Sequence, residues 1–136
     1  MARFRLEIIT PERQFFDGEV ESLVIDTPDG KRGIMARHLP MVVALSIGAV
    51  SFKSEGMWKT CFASEGFVEV RPDETIIYAQ VMEWPDEIDE MRAEEARAKA
   101  EEHLRQEQSL REYSASKASL VRAMTRLRVK RSIDQD

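Results

Sequence analysis

The chain has 136 residues, a formal net charge of −5 and a single cysteine. This length fits one ordinary domain with an appendage, and the acidic balance argues against a protein whose whole surface binds nucleic acid. The lone Cys61 excludes an internal disulfide bond and a cysteine-based zinc site. The N-terminal residues lack the apolar core of a signal peptide, and the longest apolar run, MVVAL, is too short to span a bilayer.

Residues 1–84 carry an alternating pattern that predicts β-strands. Phe4, Leu6 and Ile8 point to one side of the first strand, and charged residues separate them. Further runs are rich in β-branched and aromatic residues: VESLVID, GAVSFKS, MWKTCFA, GFVEV and TIIYAQV. Turn signals punctuate them at Asp17-Gly18, Asp29-Gly30, Glu55-Gly56, Glu65-Gly66 and Arg71-Pro72-Asp73. Together these features predict an antiparallel β-sandwich or barrel over residues 1–84.

The pattern becomes helical at Trp84-Pro85. Asp86 is the predicted N-cap of a first helix, whose apolar stripe is mostly alanine: Ala93, Ala96, Ala100 and Leu104. A capping box, Ser109-Leu110-Arg111-Glu112, predicts the start of a second helix. That helix carries its stripe at Tyr113, Lys117, Leu120, Met124 and Leu127, with Val121 beside it. The short connector QEQS between them predicts an antiparallel helical hairpin over residues 85–136.

The two predicted helices have opposite charge. Residues 86–108 hold nine acids and four Lys or Arg, whereas residues 109–136 hold three acids and seven Lys or Arg. Two interpretations remain open: the charges help the helices pair, or the basic helix also docks an acidic partner. An alanine in place of a leucine forfeits about 1–2 kcal/mol of burial, so we expect a hairpin that docks weakly and is able to switch.

No motif predicts catalysis or a metal centre. The sequence has no nucleophile elbow, phosphate-binding loop or zinc-protease motif, and its two histidines are 65 positions apart. We expect His38 and His103 to be structural or solvated, and Cys61 to be a buried core thiol.

Two groups of basic residues stand out against this background. One lies in residues 31–45, which we predict to be an irregular connection that either carries solvated charges or contacts a partner. The other combines the two helices, because a folded hairpin would gather basic residues into one patch suited to a phosphate or carboxylate: Arg92, Lys99, Arg122 and Arg126.

The order of these segments resembles the epsilon subunit of F-type rotary ATP synthases. The resemblance covers nearly all of residues 3–130, from LEIITPERQFFDGEVESLVI through GIMARHLPMVVAL and GFVEVRPDETIIYAQ to EIDEMRAEEARAKAEEHL and LVRAMTRLRV. It implies a ten-stranded N-terminal sandwich and a C-terminal two-helix domain. It also implies a non-catalytic rotor subunit, whose sandwich joins the gamma subunit to the membrane c-ring.

The resemblance further implies that the hairpin regulates the enzyme. A hairpin folded on the sandwich is permissive, and one extended along gamma into the alpha and beta subunits inhibits ATP hydrolysis. Arg122, Arg126 and Arg128 are then the expected inhibitory docking residues.

Some members of this family bind ATP through a motif I/L-D-x-x-R-A, which this chain has at residues 88–93. The expected ATP-binding residues are Glu83, Ile88, Asp89, Arg92, Ala93, Lys99, Arg122 and Arg126. Lys99 stands where arginine is the usual form, and lysine lacks the bidentate fork. ATP would be a regulatory ligand, and no cofactor is required.

The expected c-ring contact is Lys31, Arg32, Arg37 and His38. Here the family often has an acidic residue at position 31 and Pro-Gly at positions 36–37, so the charge of the contact is reversed. The resemblance implies no nucleic-acid partner, and a peripheral place at the cytoplasmic face of a bacterial cell membrane, held there only through the complex. The alternative is a free-standing β-sandwich module whose basic helical tail recruits an acidic protein.

Overall fold

The computed structural model describes residues 2–106 and 109–132 of the chain. The chain divides into two compact units, Met1–Glu83 and Trp84–Asp136. The first unit is built of β-strands and the second of helices.

Within the described residues the first unit holds ten strands. They are β1 (Phe4–Ile9), β2 (Gln14–Val20), β3 (Ser22–Thr27), β4 (Gly30–Ile34), β5 (Met41–Leu45), β6 (Gly48–Ser54), β7 (Met57–Ala63), β8 (Gly66–Val70), β9 (Glu74–Ala79) and β10 (Met82–Glu83). They form two five-stranded sheets with the orders β2-β1-β9-β8-β5 and β10-β7-β6-β3-β4. The predicted β-sandwich is therefore confirmed.

The alternation read from the sequence produces the core. Phe4, Leu6 and Ile8 of β1 are buried, as the pattern predicts, and they lie among fully buried residues such as Phe52 and Ile77. The strand pairs are antiparallel except that β1 and β9 run parallel. The sequence did not indicate this exception, because parallel pairing joins segments more than 60 positions apart, and their local patterns do not encode it.

The predicted turns differ in their outcome. Glu55 and Gly56 both have positive φ, 53° and 77°, which is the backbone of a tight hairpin turn between β6 and β7. Gly30, with a φ of 116°, closes the β3–β4 hairpin. The turn predicted at Asp17-Gly18 is wrong, because both residues lie inside β2, where Gly18 pairs with Leu6.

The second unit consists of a single turn of 3₁₀ helix and two α-helices. The 3₁₀ turn spans Pro85–Glu87, α1 spans Glu90–Arg105 and α2 spans Leu110–Ser132. The predicted cap at Asp86 is wrong: Asp89 caps α1, and its carboxylate accepts a hydrogen bond of 3.2 Å from the backbone N–H of Arg92. Asp86 lies inside the 3₁₀ turn, and the extended backbone of Ile88 and Asp89 separates that turn from α1, so Asp86 cannot occupy the cap of α1.

The predicted cap of α2 is present, since the hydroxyl of Ser109 accepts a hydrogen bond of 3.2 Å from the N–H of Glu112. The two helices pack along each other. Their QEQS connector includes residues 107 and 108, which lie outside the described residues.

The helical faces are only partly those predicted. In α1 the buried residues are Ala93 and Ala100, whereas Ala96 is exposed. In α2 Leu127 is buried as predicted and Leu120 is half-buried. Four members of the predicted α2 stripe are exposed instead: Tyr113, Lys117, Val121 and Met124. The buried positions of α2 are instead Ala123, Thr125, Leu127 and Val129. None of the helices in the described part of the chain is long and apolar enough to cross a bilayer.

Candidate functional site

The predicted ATP motif opens α1 and has a clear structural logic. Ile88 and Ala93 are buried, with exposed fractions of 5% each. The carboxylate of Asp89 caps the N-terminus of α1. Arg92 and Lys99 are both exposed, and seven positions place them on one face two turns apart. The motif therefore anchors the helix start through its apolar and acidic members and leaves its one cation, Arg92, on the surface, on the same face as Lys99.

The predicted basic residues of α2 lie one helical turn apart. Arg122 and Arg126 are half-buried and Arg128 is exposed. Arg122 and Arg126 both take part in further polar interactions. Glu83, the remaining predicted ligand, lies on β10 opposite Phe62 and also has an interaction partner. It belongs to the sandwich unit, whereas the other seven predicted ligands belong to the helical unit.

An ion pair fixes the register of the hairpin. Arg131 contacts both Glu90 and Glu94, with N···O distances of 3.0 Å. Because the helices are antiparallel, Arg126 then lies about level with residue 97, and Arg122 about level with residue 101. Lys99 falls between these two levels, and Arg92 lies about 7 Å along the axis from Arg126 at 1.5 Å per residue. The four cations predicted as a patch thus occupy one continuous length of the hairpin.

The residues predicted to contact the c-ring do not form a single loop. Lys31 and Arg32 lie at the start of β4, an edge strand of its sheet, and both are exposed. Lys31 reaches Asp26 on β3 at 3.2 Å. Arg37 and His38 lie beyond the other end of β4, in the connection to β5. The prediction of an irregular segment over 31–45 is therefore wrong for β4 and β5 and holds only for residues 35–40.

This connection crosses from one sheet to the other, since β4 and β5 are edge strands of different sheets. Arg37 has a positive φ of 62°, and its N–H donates to the carbonyl oxygen of Pro72 at 2.9 Å. Nδ1 of His38 lies 2.8 Å from the carbonyl oxygen of Leu39. Leu39 itself is 79% exposed, so the connection presents an apolar side chain directly after the two basic residues.

Sequence reasoning missed a surface on the outer face of the β2-β1-β9-β8-β5 sheet. Cross-strand register places apolar side chains in one row at one end of that face: Ile9, Tyr78, Phe67 and Ala44. The rings of Phe67 and Tyr78 stack with centroids 4.7 Å apart, and Phe67 is 47% exposed. Beside them is a depression of about 300 Å³, which Ile9, Pro11 and Gln80 also line. We name this area the apolar row.

The remainder of the same face is mixed: the next row contains the apolar residues Ile76 and Val42 as well as Glu7 and Glu69, and several ion pairs lie on it or close by. Arg5 pairs with Asp17 at 2.9 Å and with Glu74 at 3.4 Å. Arg71 pairs with Glu69 at 2.7 Å. The bond to Arg5 holds the pKa of Asp17 below its ordinary value. These surface ion pairs therefore lie farther along the face from the apolar row, toward the end of the sheet at Arg5, Arg71 and Glu74.

Cys61 is a core residue, as the sequence predicts. Cys61 is fully buried, and burial raises its pKa to about 12. Its Sγ lies 3.4 Å from the carbonyl oxygen of Val50. Among the described residues no group of three or more His, Cys, Asp or Glu side chains is placed to hold a metal ion.

Comparison with known families covers both units. A family model described as the beta-sandwich domain of the ATP synthase delta/epsilon chain matches residues 3–85. A second, described as the long alpha-helix domain of the same chain, matches residues 86–131. The chain belongs to the ATP synthase delta/epsilon-chain family. Membership confirms the predicted role of a non-catalytic rotor subunit, and it disfavours the alternative of a free-standing module.

Individual relatives agree along almost the whole chain. The ATP synthase epsilon chain of Caldanaerobacter subterraneus subsp. tengcongensis is 43% identical over 93% of this chain and 92% of its own length. That of Ruminiclostridium cellulolyticum is 42% identical over 93% of this chain and 95% of its own. Among solved structures, a chain of the Euglena gracilis mitochondrial ATP synthase superposes with a TM-score of 0.83. It is 19% identical and covers 100% of this chain and 83% of that one, so it supports the fold alone.

Proposed function

We propose that the sandwich of this rotor subunit joins the gamma subunit to the c-ring. The observation that carries the gamma contact is the apolar row, in which Phe67 is 47% exposed and stacked on Tyr78. An exposed aromatic pair beside a depression is typical of the anchor of a protein interface. The ion pairs of Arg5 and Arg71, farther along the same face, would form its polar rim.

We assign the c-ring contact to the exposed cations on the β4 side of the sandwich. Lys31 and Arg32 lie at the start of β4, an edge strand, and Arg37 and His38 follow in the connection to β5, so these basic residues would meet polar or acidic loops of a ring. The subunit would then be a peripheral one, held at the cytoplasmic face of the membrane through the complex.

The gamma contact is tested by replacing Phe67 with glutamate in the full chain. A charge at the centre of an apolar interface should weaken binding to purified gamma by at least about tenfold, as expected for the loss of an anchor residue. The control is Trp58→Glu, which places the same charge on a residue that is 53% exposed on the other sheet. Equal affinity of the two variants would exclude the apolar row as the gamma contact.

We further propose that the helical hairpin regulates ATP hydrolysis. The supporting observation is that the buried residues of α1 are only alanines, which limits the apolar area that holds the hairpin closed. In the extended state, Arg122, Arg126 and Arg128 would dock acidic segments of the alpha and beta subunits. A complex with the chain lacking residues 86–136 should hydrolyse ATP faster than the intact complex. Unchanged hydrolysis would exclude a regulatory hairpin.

ATP is the proposed ligand of the closed hairpin, bridging cations of both helices. The residues assigned to it are Glu83, Ile88, Asp89, Arg92, Ala93, Lys99, Arg122 and Arg126. Binding at tenfold above Kd would stabilise the closed state by about 1.4 kcal/mol. Calorimetry with the full chain should detect ATP binding that Arg92→Ala and Arg126→Ala weaken and that Arg105→Ala preserves, because Arg105 pairs with Glu102 within α1. No heat at millimolar ATP would exclude this ligand.

A further inference from the structure

Basic residues of α2 hold the hairpin together at its open end. In the last turn of α2, Nε of Arg131 lies 3.0 Å from a carboxylate oxygen of Glu90, and Nη2 lies 3.0 Å from one of Glu94. The neighbouring Lys130 donates from Nζ to the carbonyl oxygen of Pro85 at 3.0 Å. These contacts lie at the end opposite the connector between α1 and α2, where the two helices must separate furthest when the hairpin opens.

Arg131 belongs to a charge network rather than to an isolated pair. Glu94 uses its second oxygen to accept from Arg97, and Arg97 also reaches Glu101 at 3.0 Å. Along the surface the charges therefore alternate from Glu90 through Arg131, Glu94 and Arg97 to Glu101. Arg97 and, to a smaller extent, Arg131 hold the pKa of Glu94 below its ordinary value. Networked charges contribute more reliably than single exposed pairs, because each side chain is already ordered by its neighbour.

The apolar part of the α1 surface is small, so this network matters more than it would in a leucine-rich hairpin. The buried residues of α1 are Ala93 and Ala100, and each contributes a single methyl group. In such a hairpin a few exposed ion pairs make up a larger share of the free energy of closing. Their contribution also depends on ionic strength, unlike that of apolar packing.

We propose that Arg131, Glu90 and Glu94 form an electrostatic latch that sets how often the hairpin opens. The latch is a property of the isolated chain. Its consequence for ATP hydrolysis rests on the proposed regulatory function, so the two are tested separately.

Native-state amide hydrogen exchange of the full chain reports the opening, because short helices that lose their packing partner are marginal in water and their amides then exchange. In the Arg131→Gln variant at low ionic strength, amides in the middle of α1 and α2 should exchange about two- to tenfold faster, as expected for the loss of two ion pairs. The double variant Glu90→Gln/Glu94→Gln should show a similar increase. Combining both changes should add little, because each already removes the same interaction. Arg131→Lys should lie between wild type and Arg131→Gln, since lysine keeps the charge and loses the fork.

The matched control is Arg105→Gln, which removes an Arg–Glu pair of the same length that stays within α1. It should leave mid-helix exchange unchanged. At about 1 M salt, where the screening length is about 3 Å, the difference between wild type and Arg131→Gln should become clearly smaller. Three results would overturn the latch. They are faster exchange confined to the last turn of α2, an equal effect of Arg105→Gln, or a difference between wild type and Arg131→Gln that is as large at high salt as at low salt. Whether hydrolysis changes in the assembled complex has no bearing on these results.

Discussion

Gly66 is the position at which a single methyl group should cost the sandwich most. It begins β8, where it pairs with Ala79 of β9 and with Leu45 of β5. A Cβ at this position would lie 1.9 Å from the carbonyl oxygen of Tyr78 and 2.8 Å from Cα of Ala79. Both neighbours are backbone atoms, so no side chain can rotate away, and the strands would have to separate by about 1 Å, the kind of overpacking that strains a core.

Gly66→Ala should therefore lower the free energy of unfolding of the sandwich by about 3 kcal/mol, at the upper end of the range for overpacking. For a domain of this size that corresponds to a melting temperature lower by about 12 °C or more. Differential scanning calorimetry of the full chain measures this change.

The control for this prediction is Gly33→Ala. A Cβ at Gly33 meets no atom within 4 Å, so the same added methyl group should change stability by no more than about 0.5 kcal/mol. Equal melting temperatures for the two variants would refute the close approach of β8 and β9. Since Gly66 also precedes Phe67, Gly66→Ala should distort the apolar row as well.

Three further predictions concern other parts of the chain. Asp89→Ala should lower the stability of the helical unit by about 1 kcal/mol, whereas Asp86→Ala should not, as measured by urea unfolding followed by circular dichroism at 222 nm. A loss caused by Asp86→Ala and not by Asp89→Ala would show that Asp86 is the cap. Leu127→Ala should cost the same unit about 2–3 kcal/mol and Met124→Ala less than about 0.5 kcal/mol, because only Leu127 is buried; equal losses would contradict the observed helix face. The thiol of Cys61, whose pKa is raised to about 12, should not react with a thiol reagent at pH 8 until the chain unfolds, and rapid labelling of the native chain would contradict its burial. The free energy of unfolding should also fall as pH rises from about 9 toward 12, because the thiol of the unfolded chain ionises first.

Much of the fold could be predicted from local patterns. Alternation in β1 identified Phe4, Leu6 and Ile8 as core residues, and the turn residues Glu55-Gly56 marked a hairpin that the backbone confirms. Local signals failed where a neighbouring segment decides the outcome. Asp17-Gly18 has the composition of a turn, yet pairing with β1 keeps both residues in a strand. Asp86 has the composition of a helix cap, yet a 3₁₀ turn takes up its segment and the helix begins three residues later.

The candidate sites likewise depend on contacts between segments that local patterns do not reveal. The family resemblance placed Asp89, Arg92 and Ala93 in one motif, which could be recognised because its residues are close together in the chain. Sequence alone could not find the apolar row, since Phe67 and Tyr78 lie on different strands and come together only through the register of β8 and β9. It also noted Arg131 only as one basic residue among several, because its partners Glu90 and Glu94 lie on the other helix.

The sequence by itself determined the family, the strand and helix content and the positions of most turns, since these depend on residues close together in the chain. The tertiary structure decided which helix face is buried, where the sheet exposes its aromatic pair and which charges meet across the hairpin. Those features depend on packing between distant segments. In α2 the buried residues include both the small Ala123 and the larger Leu127, whereas Met124 and Tyr113 remain exposed, so the size and hydrophobicity of single residues do not identify the buried face.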